Sequence, residues 1–142
     1  MEKIKIGFIG CSRGIGLVHL NNLKKIKDVK IESVFDPNEE NVKTFIKEIG
    51  YPVKVFSSDR ELIEKSSIDG VVICSPHCFH FPQAKMALEK GIHVLVEKPA
   101  VISYKEAIEL KKVVERTKKN VVVGYQRHYL PLIKGILELI NS

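Results

Sequence analysis

Short runs of β-branched and aliphatic residues alternate along the chain with longer stretches whose apolar positions recur at helical period. The runs are Lys3 to Ile9, Lys30 to Phe35, Val53 to Phe56, Gly70 to Cys74, His93 to Val96 and Val121 to Val123. Strands of this kind, separated by amphipathic helices, specify a parallel sheet covered by helices on both faces. The expected fold is a doubly wound α/β domain with six mainly parallel strands in the order 3-2-1-4-5-6, occupying residues 1–142 as one domain.

Local signals place the helices. Between the second and third strands Val42, Phe45, Ile46 and Ile49 fall on one helical face, and Gly50 stands where a left-handed C-cap is needed. Ser58 with Glu61 and Ser103 with Glu106 fit the capping box, in which a hydroxyl takes one orphan amide and the carboxylate returns to another. Pro82 suits the first turn of the next helix, where its missing N–H would have no partner, and Gly91 closes that helix. The last helix, about Leu130 to Ile140, carries Ile133, Ile136, Leu137 and Ile140 on one stripe, with Leu130, Leu132 and Leu139 away from it. One sheet cannot bury all these faces, so a partner domain, a second copy of the chain, or both are expected against it.

Composition narrows the class without changing the fold. A hydrophobic share of 44% is that of an ordinary globular chain. No apolar run approaches the roughly 20 residues that cross a bilayer. The first residues alternate charge and aliphatic like a strand rather than a signal peptide, so the expected location is cytoplasmic and membrane partners are excluded. Three cysteines, Cys11, Cys74 and Cys78, point to reduced thiols. The net charge of +6 comes from lysines scattered through every expected helix and interleaved with glutamates. No arginine-rich stripe or aromatic platform accompanies them, so nucleic acid is not the expected partner.

The first strand runs into Gly10-Cys11-Ser12-Arg13-Gly14-Ile15-Gly16, and a helix follows. Glycines at such a turn let the backbone approach a pyrophosphate, while the helix's free N–H groups hold its charge. The spacing departs from G-x-G-x-x-G: Ser12 takes the second glycine's place, and the interval to Gly16 is one residue longer. Asp36 ends the second strand where a carboxylate accepts the adenosine ribose hydroxyls and repels a 2′-phosphate, which favours NAD over NADP. Asp36-Pro37-Asn38 also reads as a helix start, with Asn38 as N-cap. The glycine spacing also fits short-chain dehydrogenases, but none of the four tyrosines is followed by a lysine four residues later, so their Tyr-x-x-x-Lys is missing. Cys74, Cys78, His77 and His80 are metal-ligating types, yet Cys74 ends a buried strand and no second ligand pair stands at zinc-site spacing, so no metal is expected. His19 and His93 are assigned no function.

Three later segments complete the pattern: Cys74-Ser75-Pro76-His77-Cys78-Phe79-His80 after the fourth strand, Glu97-Lys98-Pro99 after the fifth, and Gly124-Tyr125-Gln126-Arg127 after the sixth. Together with the glycine turn and Asp36, the chain resembles the glucose-fructose oxidoreductase, inositol dehydrogenase and MocA (Gfo/Idh/MocA) family over nearly its whole length. The resemblance implies that Ser75, Pro76 and His80 stand beside the cofactor, with His77 where the family usually has asparagine. It further implies that Glu97 faces the nicotinamide ribose, that Lys98 is the catalytic lysine, and that Gln126 and Arg127 lie along the nicotinamide edge. The implied activity is hydride transfer between NAD(H) and a secondary alcohol of a sugar, cyclitol or similar polyol. The family's remaining catalytic groups come from a second α/β domain. The chain is therefore expected to be the dinucleotide-binding half, binding NAD weakly and turning over little alone. A different class fits the same fold: a non-catalytic NAD(H) sensor that dimerises through its last helix.

Overall fold

The computed structural model describes residues 2–141. In chain order the elements are β1 (Ile4–Ile9), α1 (Ile15–Leu23), β2 (Val29–Phe35), α2 (Glu39–Ile49), β3 (Lys54–Val55), α3 (Asp59–Lys65), β4 (Gly70–Ile73), α4 (His77–Glu89), β5 (His93–Val96), α5 (Tyr104–Thr117), β6 (Val121–Val123), a short 3₁₀ turn (Gln126–Tyr129) and α6 (Pro131–Asn141). All five strand pairings are parallel, and the order is β3-β2-β1-β4-β5-β6, as the sequence pattern predicts. Every strand therefore ends at the same edge of the sheet, and the loops that follow converge there.

Alternation along the strands, with a register shift between β1 and β2 that brings Ile31 and Val34 onto one face, divides the interior into two cores. Phe8, Ile31, Val34 and Val72 face α1 and α2, meeting Leu20, Val42, Phe45 and Ile49. Ile9, Val71, Ile73, Val94 and Val96 face the other way, onto Leu62, Ile63, Ala84, Leu88, Leu110 and Val113 of α3, α4 and α5. Because successive side chains point to opposite faces and both faces are covered, β4 is an unbroken buried apolar run. Phe8 and Phe45 meet edge to face with ring centroids 5.0 Å apart. Phe45 also approaches Gly16, so the first core reaches the turn that opens α1.

The helix signals hold with two adjustments. Asn38, Ser58 and Ser103 cap α2, α3 and α5 through their side chains, and Gly50 takes φ 84° at the end of α2. The two capping boxes close one residue earlier than expected. With both N-caps extended, the Glu61 carboxylate accepts from the amide and hydroxyl of Ser57, and Glu106 accepts from the amide of Ile102. Pro82 is not in the first turn but inside α4, which begins five residues before it, at His77. The early turn is secured by His80, whose ring is hydrogen-bonded at both nitrogens, and the carbonyl that Pro82 leaves without its helical donor belongs to exposed Cys78. Gly91 (φ 83°) ends α4 in a Schellman arrangement: its N–H bonds to the carbonyl of Leu88, and that of Ile92 to Ala87.

α6 buries no residue; Leu132, Leu139 and Ile140 are each more than 70% exposed. The surface cations are interleaved with carboxylates, as in Lys43–Glu40, Lys65–Glu61 and Arg116–Glu89. No helix among the described residues is long and apolar enough to cross a membrane.

Phe45→Ala should lower unfolding free energy by about 3–5 kcal/mol, because it empties a fully buried site at the centre of one core. Urea denaturation measures it. A loss below about 1 kcal/mol would contradict the packing described.

Candidate functional site

At the carboxyl edge the backbones of β1 and β4 run unusually close. Gly10 adopts φ 91°, and a Cβ there would lie 2.6 Å from the carbonyl carbon of Cys74, so only glycine fits. A Cβ at Gly16 would meet the carbonyl oxygen of Gly10 at 3.1 Å, which lets α1 start directly against the strand. Gly14, by contrast, has open space around it and is the N-cap of α1. No side chain caps α1 there and no acidic residue stands in its first turn, in contrast to α2, α3 and α5. Its leading N–H groups and positive dipole end are thus left for an external anion.

Asp36 ties this turn to the next. One carboxylate oxygen accepts from the amide of Cys11 at 2.7 Å; the other accepts from the amide of Asn38 at 2.9 Å and the side chain of Asn41 at 3.2 Å. Asn38 caps α2 at the same time by accepting from the amide of Glu40, so the ribose-site and helix-start readings of this segment describe compatible geometry.

A cleft of about 700 Å³ opens over the ends of β1, β2 and β4. It brings together Gly10, Ser12, Asp36, Ser75 and Pro76 of the sequence-derived set, and adds Asn41, Asp59 and Gln83. Gln83 is 4% exposed; its amide oxygen accepts from the Ser75 hydroxyl at 2.5 Å, and its nitrogen donates to Asp59 at 2.7 Å. Arg13 is exposed beside Gly14, and Ile15 and Gly16 form the first residues of α1. His77, the first residue of α4, is exposed.

His80 departs from expectation. It is 0% exposed, with one ring nitrogen 2.7 Å from the carbonyl oxygen of Ser75 and the other 2.8 Å from that of Pro99. Both ring nitrogens face backbone carbonyls, so it holds two walls of the site together. A ring that donates at both nitrogens satisfies both carbonyls, whereas a singly protonated ring satisfies only one.

The Glu97-Lys98-Pro99 segment leaves β5 toward β6. Glu97 is 6% exposed and turned inward: one oxygen lies 2.8 Å from Nε2 of His19 on α1, and the other accepts from the amide of Lys98. A buried carboxylate needs such partners to offset its lost hydration. Gly124 lies directly against this carboxylate, and a Cβ there would fall 2.5 Å from it. Lys98 is exposed and lines a separate hollow of about 250 Å³ with Gly124, Tyr125, Gln126, Arg127, His128 and Ile133. The cleft and the hollow occupy neighbouring parts of one edge, over β1, β2 and β4 and over β5 and β6 respectively.

The thiols behind the cleft are quiet. Burial, then the nearby Asp36 charge, pushes the Cys11 thiol far above its ordinary range. Burial, then Glu97, raises Cys74 to about 12. Only Cys78 is exposed. Among the described residues no three His, Cys, Asp or Glu side chains gather as a metal site would require.

His19, Asn41, Asp59 and Gln83 had escaped the sequence reading. For His19 a signal existed: it follows Gly16 by one helical turn, on the side of α1 that must pass the sheet edge. The partners of Gln83 lie 8 and 24 residues away, a relation no local pattern encodes.

This edge, with its strand–glycine turn–helix and a carboxylate closing β2, defines a Rossmann-type dinucleotide-binding domain. The family model for the oxidoreductase family with NAD-binding Rossmann fold, GFO_IDH_MocA, matches residues 4–125, and the chain belongs to that family. It is 37% identical over 136 residues to glucose-6-phosphate 3-dehydrogenase of Bacillus subtilis, covering 96% of this chain and 37% of that protein. It is 28% identical over 142 residues to myo-inositol 2-dehydrogenase of Thermotoga maritima, covering 98% and 41%. The scyllo-inositol dehydrogenase of Lactobacillus casei, solved with bound NAD(H) and scyllo-inositol, superimposes with a TM-score of 0.89 at 27% identity over 99% of this chain and 41% of its own. The chain thus spans about two fifths of the length of these relatives.

A disulfide-exchange reagent at pH 8 should titrate one fast thiol per folded chain, and Cys78→Ser should remove it, leaving Cys11 and Cys74 to react only on unfolding. Two fast thiols in the native protein would contradict the burial of Cys11 or the raised pKa of half-buried Cys74.

Proposed function

We propose that this domain holds NAD(H) along the carboxyl edge of its sheet and, in the complete enzyme, serves hydride exchange with a secondary alcohol of a sugar, cyclitol or similar polyol. The observation that carries the reading is the Gly10 turn: packed against the Cys74 backbone too closely for any side chain, it leads directly into a helix start without a side-chain cap and with open space at Gly14. In this reading the amides that open α1 hold the pyrophosphate, with Ser12 and Arg13 at its rim. Asp36 accepts the adenosine ribose hydroxyls. A carboxylate offers about four lone-pair positions and three carry internal donors, so a ribose hydroxyl takes the remaining one or displaces the long contact from Asn41. A 2′-phosphate would bring a second negative charge against Asp36, which favours NAD over NADP.

Ser75 and Pro76 stand beside the cofactor in the cleft that holds Asp36, while His77, Gln126 and Arg127 border the nicotinamide half. Glu97, held from behind by His19 at 2.8 Å, accepts from the Lys98 amide and fixes the backbone from which Lys98 projects. When bound, NAD accepts or returns the hydride. The Lys98 ammonium, beside the alcohol oxygen, stabilises negative charge developing there and orients the hydroxyl; in a site closed from water such a charge acts far more strongly than in bulk. The groups that read the polyol and take its proton belong to a second domain of the complete enzyme, and residues 1–142 alone bind NAD weakly without turnover. The exposed apolar surface of α6 supports a second reading, an NAD(H)-binding module that self-associates through that helix. Light scattering separates the two: a stable dimer with tight NADH selectivity favours the second.

Calorimetry should show saturable NADH binding to this chain, at least about tenfold weaker binding of NADPH, and a narrowed preference in Asp36→Ser. In the complete enzyme Lys98→Met should lower kcat by about 10²–10³-fold while changing NADH affinity little. Absence of NADH binding would overturn the first statement, and an unimpaired Lys98→Met enzyme the second.

A further inference from the structure

One charged wall of the 700 Å³ cleft has no part in the assignments above. Asp59, at the start of α3, lines the cleft that also holds Asp36. Its orientation is set from inside the protein: the nearly buried Gln83 donates to its Oδ2, and the same amide accepts from Ser75 across the cleft floor. The backbone N–H of Arg60 donates to the other oxygen, Oδ1, at 2.7 Å, so the Asp59 carboxylate is fixed at both oxygens, and each keeps lone-pair capacity beyond these bonds in a residue that lines the cleft and is only half-buried. The surrounding walls are flat and apolar, made by Phe35, Pro37, Pro76 and Phe79, whose ring is half exposed. Such walls suit a planar heterocycle.

A fixed carboxylate at the end of such a slot selects a donor and repels an acceptor. If Asp36 takes the ribose, the ring attached to that ribose lies in the same cleft. The donor on the hydrogen-bonding edge of adenine is its 6-amino group. We infer that Asp59, held by Gln83, reads that amino group and makes the cleft selective for adenine over a 6-oxopurine. The inference rests on the dinucleotide reading and deepens it by assigning a base-specificity residue.

The test is the affinity of the wild-type chain for NADH against reduced nicotinamide hypoxanthine dinucleotide, whose purine carries a carbonyl in place of the 6-amino group and a proton on the adjacent N1, so that position 6 itself turns from donor to acceptor. NADH should bind about tenfold or more tightly. Asp59→Asn, whose amide can donate to that carbonyl, should bring the ratio toward one, and Gln83→Leu should reduce it by releasing Asp59. Asp36→Ser should weaken both ligands and keep the ratio. Equal wild-type affinities would overturn the inference and leave the dinucleotide reading standing. Failure of both ligands to bind would overturn both. Because the decisive ratio is measured on the unsubstituted protein, a variant that folds poorly does not remove the test.

Discussion

The site depends on how closely two backbones can run. Where β1 ends, Gly10 lies against the Cys74 carbonyl group at a distance no side chain would permit, and its left-handed conformation turns the chain directly into α1. That turn points the leading amides of α1 over the sheet edge, and every other element of the site is arranged around it. Phe45 and Phe8 support it from one core, and Asp36 accepts the Cys11 amide from the side. A glycine here is therefore required twice, for the sign of φ and for the volume of the missing methyl group.

Around this point three polar side chains join the loops into one framework. Asp36 links the glycine turn to the start of α2, His80 links the Ser75 turn to the segment after Lys98, and Gln83 links Ser75 to α3. His19 and Glu97 add a connection between α1 and the end of β5. Loops that would otherwise be the most mobile parts of the fold are thereby tied to one another by buried or half-buried bonds. Function at such an edge demands fixed geometry, since charged groups act on a ligand only as well as they are held.

Much of this was legible before any coordinates. Strand positions followed from short β-branched and aliphatic runs, unbroken in β4, which is covered on both faces, and alternating with charge in β1. Gly50 and Gly91 marked helix ends correctly, since the left-handed conformation there is a local requirement. Pro82 misled because proline's preference for a first turn was outweighed by a tertiary contact, the two bonds that anchor His80. His80 itself was recognisable as a motif residue, but whether it met ligand or backbone depended on burial, which neighbouring residues do not encode. Lys98 was legible as a lysine at a strand end, yet not that its surroundings would form a hollow beside the main cleft. His19, Asp59 and Gln83 were illegible for the same reason: their partners come from elements distant in sequence.

The two ring nitrogens of His80 face main-chain oxygens, and those are the same whatever side chain stands at positions 75 and 99. The joint is indifferent to the chemistry on either side of it and sensitive only to spacing. Residues facing the ligand can therefore be exchanged for new selectivity while the mechanical link between the two loops persists, whereas inserting or deleting one residue between Ser75 and His80 would break it with every contact residue intact.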